Sequence, residues 1–582
     1  MSLPLLEELK RRRVFRALVG YAIAAFAVLQ VIEPVMHGFR WPDAVLSYVV
    51  VALAAGFPIV VGLAWIFDLG IGGIERTPPA SAPQLRGTRI ALVLAAIGTI
   101  AAAPVLAWYL LRGGARGGAE GATWGVRSIA VLPFADMSPQ KDQEYFSDGL
   151  SEEILNALAQ VDGLHVAGRT SSASFKGKAE DLRSIGQKLG VATVLEGSVR
   201  KAESRVRVTA QLIDVKDGFH LWSQTFDREL NDIFAVQDEI ASEVVAALRV
   251  KLVPGKSPTA VERRTADPEA YNQYLLARRF FDRGSPETER KAIAGFRRAI
   301  ELDPTYAPAW AGLARAIYTA EIATAISSDT AGSRRTAMEA AEKAVQLAPG
   351  LADAWGSRGF LRLFLLTLDW SGAEGDLARA RAINPGDPDA VRDSAMVRAA
   401  LGRMAEARAD AQRATEIDPL ASVAWWTLGN IDLRRGSLDD AKRELTRSLE
   451  ISPEQSRAAR DLGFVHLLRQ RPEAALEACE KSTYDLWRLT CRALAWHDLG
   501  REQDAERAGR ELRETYGPAA AYQLAQVRAW SGDVDGAFSW LGRAFVEKDA
   551  GLNYVRHDPL LAKLRGDPRW TALLNKMKLP VE

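Results

Sequence analysis

Prolines at a regular spacing are the feature that most constrains what this chain can fold into. Pro304, Pro349, Pro385, Pro419 and Pro453 are separated by 45, 36, 34 and 34 residues. An alanine stands twelve residues before each of them, and an alanine or serine stands five residues before. Proline lacks the amide that would continue a helix, and small side chains let two helices approach closely. The spacing therefore predicts stacked helix pairs, each ended by a proline.

Four positions keep their register with the prolines, a pattern that resembles the tetratricopeptide (TPR) repeat. An alanine-rich helical bundle without a repeat would not hold four independent positions in register. The resemblance implies that residues 269–582 form an all-α TPR solenoid of about eight helix pairs, the last irregular and acting as a cap. The positions are Trp310, Trp355, Val391, Trp425 and Ala459 six residues after the proline, Ala314, Gly359, Ala395, Gly429 and Gly463 ten after, Ala292, Ala337, Ala373, Ala407 and Ala441 twelve before, and Ala299, Ala344, Ala380, Ala414 and Ser448 five before.

The TPR resemblance also implies a concave groove, lined by the first helix of each pair, that binds an extended peptide or a helix of a protein partner. Aromatic and arginine side chains are the types that anchor interfaces. Some of the predicted residues could instead pack against neighbouring helices. Only Asn430 fits the Lys/Asn set of a TPR carboxylate clamp, so recognition of chaperone tails is not expected. The predicted partner-binding residues are Arg315, Tyr318, Phe360, Arg392, Met396, Trp426, Asn430, Arg434, Arg460 and Phe464.

Three long apolar stretches precede these repeats, at residues 14–36, 44–67 and 90–111. Each is about as long as the roughly 20 residues that a helix needs to cross the hydrocarbon core of a bilayer. The first could also be a cleaved signal peptide, but it exceeds a normal apolar signal region and two further stretches follow it. Residues 1–112 are therefore predicted to be a membrane anchor of three transmembrane helices in contact with the lipid bilayer.

Positive charges between the apolar stretches predict the orientation of this anchor. Residues 10–13 are all lysine or arginine, and Arg76, Arg86 and Arg89 lie between the second and third stretches. Arg40 is the only lysine or arginine between the first and second. Because positive charge is retained in the cytoplasm, the N-terminus is predicted to be cytoplasmic and everything after the third stretch extracytoplasmic. In a Gram-negative bacterium this is a multi-pass inner-membrane protein with a periplasmic C-terminal region.

A glycine-rich linker at residues 113–125 leads into a segment with alternating strand and helix patterns, residues 126–252, and a second linker occupies 253–268. The order of the patterns predicts a small α/β domain, βαβαβββα, with one sheet face exposed or covered by the last helix. Ser147 or Asp148 is predicted to cap its first helix. The predicted strands are 128–134, 164–169, 192–200, 205–215 and 219–227, and the predicted helices are 146–161, 182–190 and 232–252.

Several motifs of this domain resemble the TolB N-terminal-like, or FlgO-like, domain of bacterial envelope proteins. They are SIAVLPFADMSPQKDQEYFSDGLSEEILNAL, VLEGSVR and RVRVTAQLIDVKDGFHLWSQTFDRE. The resemblance implies a non-catalytic periplasmic domain that mediates protein contacts. Such domains also occur joined to TPR repeats behind a membrane anchor, a cyclase domain or a DNA-binding winged helix. The segments ELKRRRVF and FPIVVGLAWIFDL resemble the membrane anchor, which fits the predicted spans.

The sequence offers little for catalysis or for nucleic-acid binding. The 74 lysines and arginines are balanced by 73 acidic residues, unlike the strongly basic domains that bind nucleic acid. The phosphate-loop, zinc-protease and nucleophile-elbow motifs are missing, and the six histidines lie apart in the sequence. We therefore expect no enzyme activity, no cofactor, no metal and no small-molecule substrate. The predicted function is a scaffold for protein partners; the alternative is a regulatory or sensory subunit of a transmembrane signalling system.

The two cysteines, Cys479 and Cys491, each lie six residues from Asp485, the predicted centre of a turn between two helices. On antiparallel neighbouring helices these positions have the same height, and a disulfide needs Cα atoms within about 7 Å. An oxidising periplasm would permit the bond. The other interpretation is two buried free thiols serving as small apolar side chains.

The predicted topology can be tested with reporter fusions. A C-terminal reporter that is active only outside the cytoplasm is expected to work when fused at residue 125 or 582, and to fail at residue 80, because residue 80 lies in the arginine-rich loop. Activity of the fusion at residue 80 would contradict the predicted orientation.

Overall fold

The computed structural model describes residues 127–581 except 162, 203–204, 230–232, 249–264, 284–285 and 323–329, together with 67–70, 73–76 and the positions 21, 25, 28 and 53. The chain divides into two compact units, Met1–Glu120 and Gly121–Glu582. The three predicted membrane spans lie almost entirely outside the described residues. Within the described part of the chain, no helix has the length and apolar character that crossing a bilayer requires.

In the first unit the structure describes a short antiparallel hairpin of β1 (Phe67–Gly70) and β2 (Gly73–Arg76). It joins the end of the second apolar stretch to the first residues of the predicted cytoplasmic loop.

The second unit begins with an α/β domain built on a mixed sheet in the order β5-β3-β6-β7-β8. Strand β3 is parallel to both of its neighbours, β5 and β6, while β6, β7 and β8 form an antiparallel meander. The small sheet domain that the sequence predicts is thereby confirmed. The strands are β3 (Ser128–Val131), β4 (Ala135–Asp136, paired with β6), β5 (His165–Val166), β6 (Thr193–Ala202), β7 (Arg205–Asp214) and β8 (His220–Glu229).

Four helices accompany this sheet: α1 (Glu144–Ala159), α2 (Arg169–Ala173), α3 (Leu182–Leu189) and α4 (Ile233–Ala247). Apolar residues of α1 and α4 share one core with inward side chains of the sheet, whereas α3 packs on the opposite face. The part of that opposite face formed by β7 and β8 is polar, and Asp227 there accepts from Arg205 and Arg207. The last helix covers one face, as the sequence indicated.

The predicted cap of the first helix is wrong. Helix α1 begins at Glu144, so that Ser147 and Asp148 lie inside it. Asp136 fixes the earlier start, because its carboxylate accepts from the backbone N–H of Ser138 and of Gln143, both at 2.8 Å. Asp148 pairs instead with Lys176.

The remaining chain forms eight antiparallel helix pairs within the described residues, followed by an irregular C-terminal segment, which confirms the TPR-type solenoid. The contacts follow the expected order, with each helix packed on its own partner and on the next pair. The helices are α5 (Pro268–Arg283), α6 (Pro286–Leu302), α7 (Ala307–Ile317), α8 (Thr330–Leu347), α9 (Ala352–Phe364), α10 (Trp370–Ile383), α11 (Pro388–Ala400), α12 (Met404–Ile417), α13 (Ser422–Arg435), α14 (Leu438–Ile451), α15 (Ser456–Leu468), α16 (Pro472–Glu480), α17 (Asp485–Asp498), α18 (Glu502–Tyr516), α19 (Ala521–Trp530) and α20 (Val534–Val546).

The C-terminal segment consists of two 3₁₀ helices, Ala550–His557 and Pro559–Leu564, and the helix α21 (Pro568–Lys576). Its apolar residues belong to the same core as the later repeats. The irregular end that the sequence predicts is therefore present. Besides packing on the last pairs, it also contacts helices of the third and fourth pairs.

The small residues of the repeat lie where the helices of a pair touch. All five alanines at the position twelve before the proline have no exposed surface. A Cβ on Gly429 would come within 2.8 Å of Leu445 Cγ on the partner helix. The repeat tryptophans stabilise the turn between one pair and the next. In Trp310, Trp355 and Trp425 the indole Nε1–H donates to the backbone carbonyl of the proline six residues earlier, at 2.8–2.9 Å.

Helices α16 and α17 are joined by a disulfide between Cys479 and Cys491, whose Cα atoms are 6.2 Å apart. This separation satisfies the distance that the bond requires. Both sulfurs lie against Gly463 of the preceding helix, where a side chain would collide with them. Oxidation of the pair in the cell stays a prediction.

A buried carboxylate is one of the contacts that dock the α/β domain on the repeats, beside the apolar core that α1 and α4 share with α5. Asp418, in the turn after α12, accepts from the backbone N–H of Ser171 at 2.7 Å and from the Ser171 hydroxyl. Gly168 N donates to Ile417 O at 2.7 Å, and Leu420 N donates to Ser171 Oγ at 2.8 Å. Burial raises the pKa of Asp418. Helix α2 is thus fixed to the fourth helix pair.

The packing role of the small residues is testable by substitution. Ala407→Leu and Ala441→Leu are expected to destabilise the chain by about 1–3 kcal/mol, because a larger side chain overpacks the contact within a pair. Glu406→Gln, at an exposed position, is the control and should leave thermal unfolding almost unchanged. Equal melting curves for both kinds of variant would argue against the repeat register.

Candidate functional site

All ten residues predicted for the concave face belong to the first helix of a pair or to the turn that directly follows one, but they differ in accessibility. The structure buries five of them against the solenoid and uses several of the others in ion pairs. The buried residues are Tyr318, Met396, Trp426, Asn430 and Phe464. These five are therefore structural at least in part.

The two arginines nearest the N-terminus of the groove are held by one carboxylate. Asp393 accepts from Arg392 Nη2 at 2.7 Å and from Arg315 Nη2 at 3.3 Å. The Arg315 guanidinium also lies 4.6 Å from the centre of the Phe360 ring. Tyr318 packs edge-on against the same ring at 5.0 Å, and burial raises the pKa of the tyrosine. This part of the predicted site forms a fixed internal network.

A second carboxylate organises the middle of the groove. Asp461 accepts from Trp426 Nε1 at 2.8 Å, from Asn430 Nδ2 at 2.7 Å and from Arg460 Nε at 2.8 Å. Burial acts to raise the pKa of Asp461, but the charges of Arg460 and Arg434 and the bonds that the carboxylate accepts hold it below the ordinary value. Asn430, the one residue that fits a carboxylate clamp, is thus occupied within the chain.

The C-terminal segment lies against the first helices of the third and fourth pairs. Asn553 Nδ2 donates to Leu363 O at 3.1 Å, and Arg556 donates to Leu401 O. Trp370 Nε1 donates to Met577 O at 2.7 Å. The groove predicted to be free for a partner is therefore partly covered by the protein's own chain.

A cavity of about 440 Å³ remains between this segment and the first helices of the fifth, sixth and seventh pairs. Its walls include five of the ten predicted residues. They also include aromatic and arginine side chains that the sequence did not predict for this site. The predicted residues on the wall are Tyr318, Trp426, Arg434, Arg460 and Phe464, and the missed ones include Arg457, Tyr484, Trp487, Tyr516 and Tyr554. The aromatic and arginine residues of α15 and α17 were the sequence feature that could have indicated these additional wall residues.

Two guanidinium groups in this cavity stack on aromatic rings and form no direct ion pair among the described residues, although the charge of Arg434 acts on Asp461. The Arg434 guanidinium carbon lies 4.3 Å from the centre of the Tyr554 ring, and that of Arg457 lies 5.1 Å from the Trp426 ring. Arg434 Nε is buried and has no hydrogen-bond acceptor in the described structure. Stacking occupies the faces of the two groups and leaves their N–H edges available for a carboxylate.

The geometry does not point to a metal centre. Within the residues that the structure describes, no group of three or more His, Cys, Asp or Glu side chains is placed to hold a metal ion.

A sequence model for the second domain of HilA/YgeH-like transcriptional regulators matches residues 125–243, which contain the sheet described above. The chain is also 46% identical over 186 residues to a protein of Rhizobium meliloti (strain 1021) named "Putative adenylate cyclase 3". This match covers 32% of the chain and 32% of the relative, so it spans only about a third of that protein's length.

Among solved structures, a thermophilic TPR protein of Thermus thermophilus is 19% identical, with a TM-score of 0.29, over 34% of this chain and 99% of that chain. The yeast Tom70 is 15% identical, with a TM-score of 0.34, over 55% of this chain and 67% of that chain. These TM-scores are low, and the repeat architecture accordingly rests on the helix pairs and small-residue contacts of this chain.

The buried carboxylate of the groove provides a test of the site. Asp461→Ala is expected to destabilise the chain by about 3–5 kcal/mol, because it leaves buried donors and Arg460 without their acceptor. Asp439→Ala removes a carboxylate that is 93% exposed and paired with Arg469, and should change stability by less than about 1 kcal/mol. Chemical denaturation of both variants measures the difference; a similar loss in both would contradict the role given to Asp461.

Proposed function

We propose that this chain is a membrane-anchored scaffold that binds a protein partner through its TPR repeats, with the repeats and the α/β domain on the periplasmic side of the inner membrane. The three apolar stretches and the distribution of arginines support the anchor and its orientation. The repeats supply a groove with an aromatic and arginine-rich cavity. The proposal includes no catalytic step.

The observation that carries the partner-binding proposal is the pair of stacked guanidinium groups on Arg434 and Arg457. Arg315, Arg392 and Arg460 each bond to an aspartate of the chain, whereas Arg434 and Arg457 form no ion pair among the described residues and can engage an anion outside it. A partner that presents a carboxylate next to an apolar side chain matches both the charge and the aromatic walls of the cavity. The TolB-like or FlgO-like resemblance of the α/β domain supports a second contact there.

A regulatory subunit of a signalling system is the second candidate. It is favoured by two names among the similar proteins, an adenylate cyclase and a transcriptional regulator's second domain. In this proposal the periplasmic domains sense a partner and the anchor passes the signal to a cytoplasmic enzyme or regulator.

A pull-down with the full-length chain from solubilised membranes tests the scaffold. The double variant Arg434→Met, Arg457→Met is expected to reduce the recovered partner about tenfold or more, because each charge-assisted hydrogen bond contributes about 1.5–3 kcal/mol. Arg443→Met is the matched control, since this arginine is 65% exposed on α14, outside the cavity. Equal recovery with the double variant and the control would contradict partner binding at this site.

A further inference from the structure

A second cavity lies at the carboxyl edge of the sheet, between the α/β domain and the first repeat helix. After β3 the chain forms the two-residue strand β4 beside β6 and then passes through α1 to reach β5 on one side of β3. It later reaches β6, on the other side of β3, through α3. The strand order thus changes direction at β3. In open α/β sheets, ligands bind in the crevice outside the carboxyl ends of the strands at such a point.

The crevice has the size and walls of a small-molecule site. Its volume is about 370 Å³, within the range of roughly 300–1,000 Å³ that is common for ligand pockets. The end of β3 contributes Val131 and Pro133, α1 contributes Leu155, and α5 contributes Leu275. These residues give the crevice an apolar wall.

One buried polar group in the crevice lacks a partner. Ser172 on α2 is only 2% exposed, lines the crevice, and its hydroxyl has no hydrogen-bond partner in the described structure. The neighbouring hydroxyls are used: Ser171 donates to Asp418, and Ser151 donates to Ser147 O at 2.9 Å. Because a buried hydroxyl is normally hydrogen-bonded, Ser172 indicates a ligand that accepts from it.

The charged lining favours an anion. Five basic and three acidic side chains line the crevice, which leaves two positive charges in excess: Arg169, Lys176, Arg278, Arg279 and Arg283 against Asp148, Glu152 and Asp282. Glu144 offsets one of these charges from outside the lining, since it accepts from Arg279 Nη2 at 2.6 Å, so the excess is one positive charge. Arg169, Lys176, Arg278 and Arg279 are ion-paired with these acidic side chains. Arg283 forms no ion pair within the described residues.

We propose that this crevice binds a small organic phosphate whose phosphoryl oxygens accept from Ser172 and the basic rim and whose apolar body lies against Val131, Leu155 and Leu275. A phosphate monoester carries close to two negative charges near neutral pH and three acceptor oxygens. Hydroxyl, lysine and arginine donors are the side chains that contact phosphates most often. The crevice is separate from the groove cavity, so the proposal is independent of the scaffold function.

Phenyl phosphate is a suitable probe, measured with the full-length chain by titration calorimetry and by the shift of its melting temperature. The wild-type chain is expected to bind phenyl phosphate, and to bind benzyl alcohol and inorganic phosphate about tenfold more weakly or not at all. Ser172→Ala and Lys176→Met are each expected to weaken binding about fivefold to tenfold. Lys176→Arg keeps the charge and should retain binding, and Lys216→Met, in the exposed turn between β7 and β8, should change nothing.

The serine variant also separates a ligand contact from a structural one. Since the Ser172 hydroxyl makes no hydrogen bond in the described part of the chain, Ser172→Ala should not lower the melting temperature without ligand, and should reduce only the shift that phenyl phosphate produces. A wild-type chain that does not bind phenyl phosphate, or a Ser172→Ala variant that binds it as tightly as the wild type, would overturn the proposal. Benzoate binding as tightly as phenyl phosphate would overturn the assignment to phosphates.

Discussion

The close approach of paired helices at alanine and glycine is the constraint on which the rest of the solenoid depends. Ala407 and Ala441 have no exposed surface, and Gly429 has no room for a Cβ. Tight pairing of this kind turns the larger side chains of the first helices toward the groove, where they meet the C-terminal segment. The positions of the small residues thus decide which side chains line the groove. Aromatic rings and arginines lie on one side of it, and a short 3₁₀ segment lies on the other.

Buried aspartates provide the polar counterpart of this packing. Asp393 and Asp461 each gather donors within the groove, and Asp558 accepts from Tyr522 Oη and Gln526 Nε2, both at 2.7 Å, to fix the C-terminal segment. A buried carboxylate is retained only when its oxygens are paired, so each of these groups specifies which segments meet. Arginines that bond to such a carboxylate, as Arg392 and Arg460 do, become structural, whereas Arg434 stacks on Tyr554.

The sequence was sufficient for what depends on local periodicity. The alanines, the tryptophans that bond to Pro304, Pro349 and Pro419, and the antiparallel placement of the two cysteines all follow from spacing along one or two helices. The start of α1 was missed because it depends on a side chain eight residues upstream, Asp136. The cover of the groove was missed because Asn553 and Leu363 are 190 residues apart, and no pattern within a helix encodes such a contact.

The crevice could not be predicted from the sequence either, because it also depends on contacts between residues far apart in the chain. Helix α2 has only five residues and no helical periodicity to detect, yet its consecutive serines serve two different contacts. Ser171 is bonded to Asp418 of the fourth repeat pair, and Ser172 lines the crevice beside the first repeat helix. Arg169 of the same helix donates to Asp282 of that repeat helix at 2.7 Å. A ligand at the proposed crevice site would therefore contact a short helix that bonds to both the first and the fourth repeat pairs. The site and part of the contact between the two domains thus share the same residues.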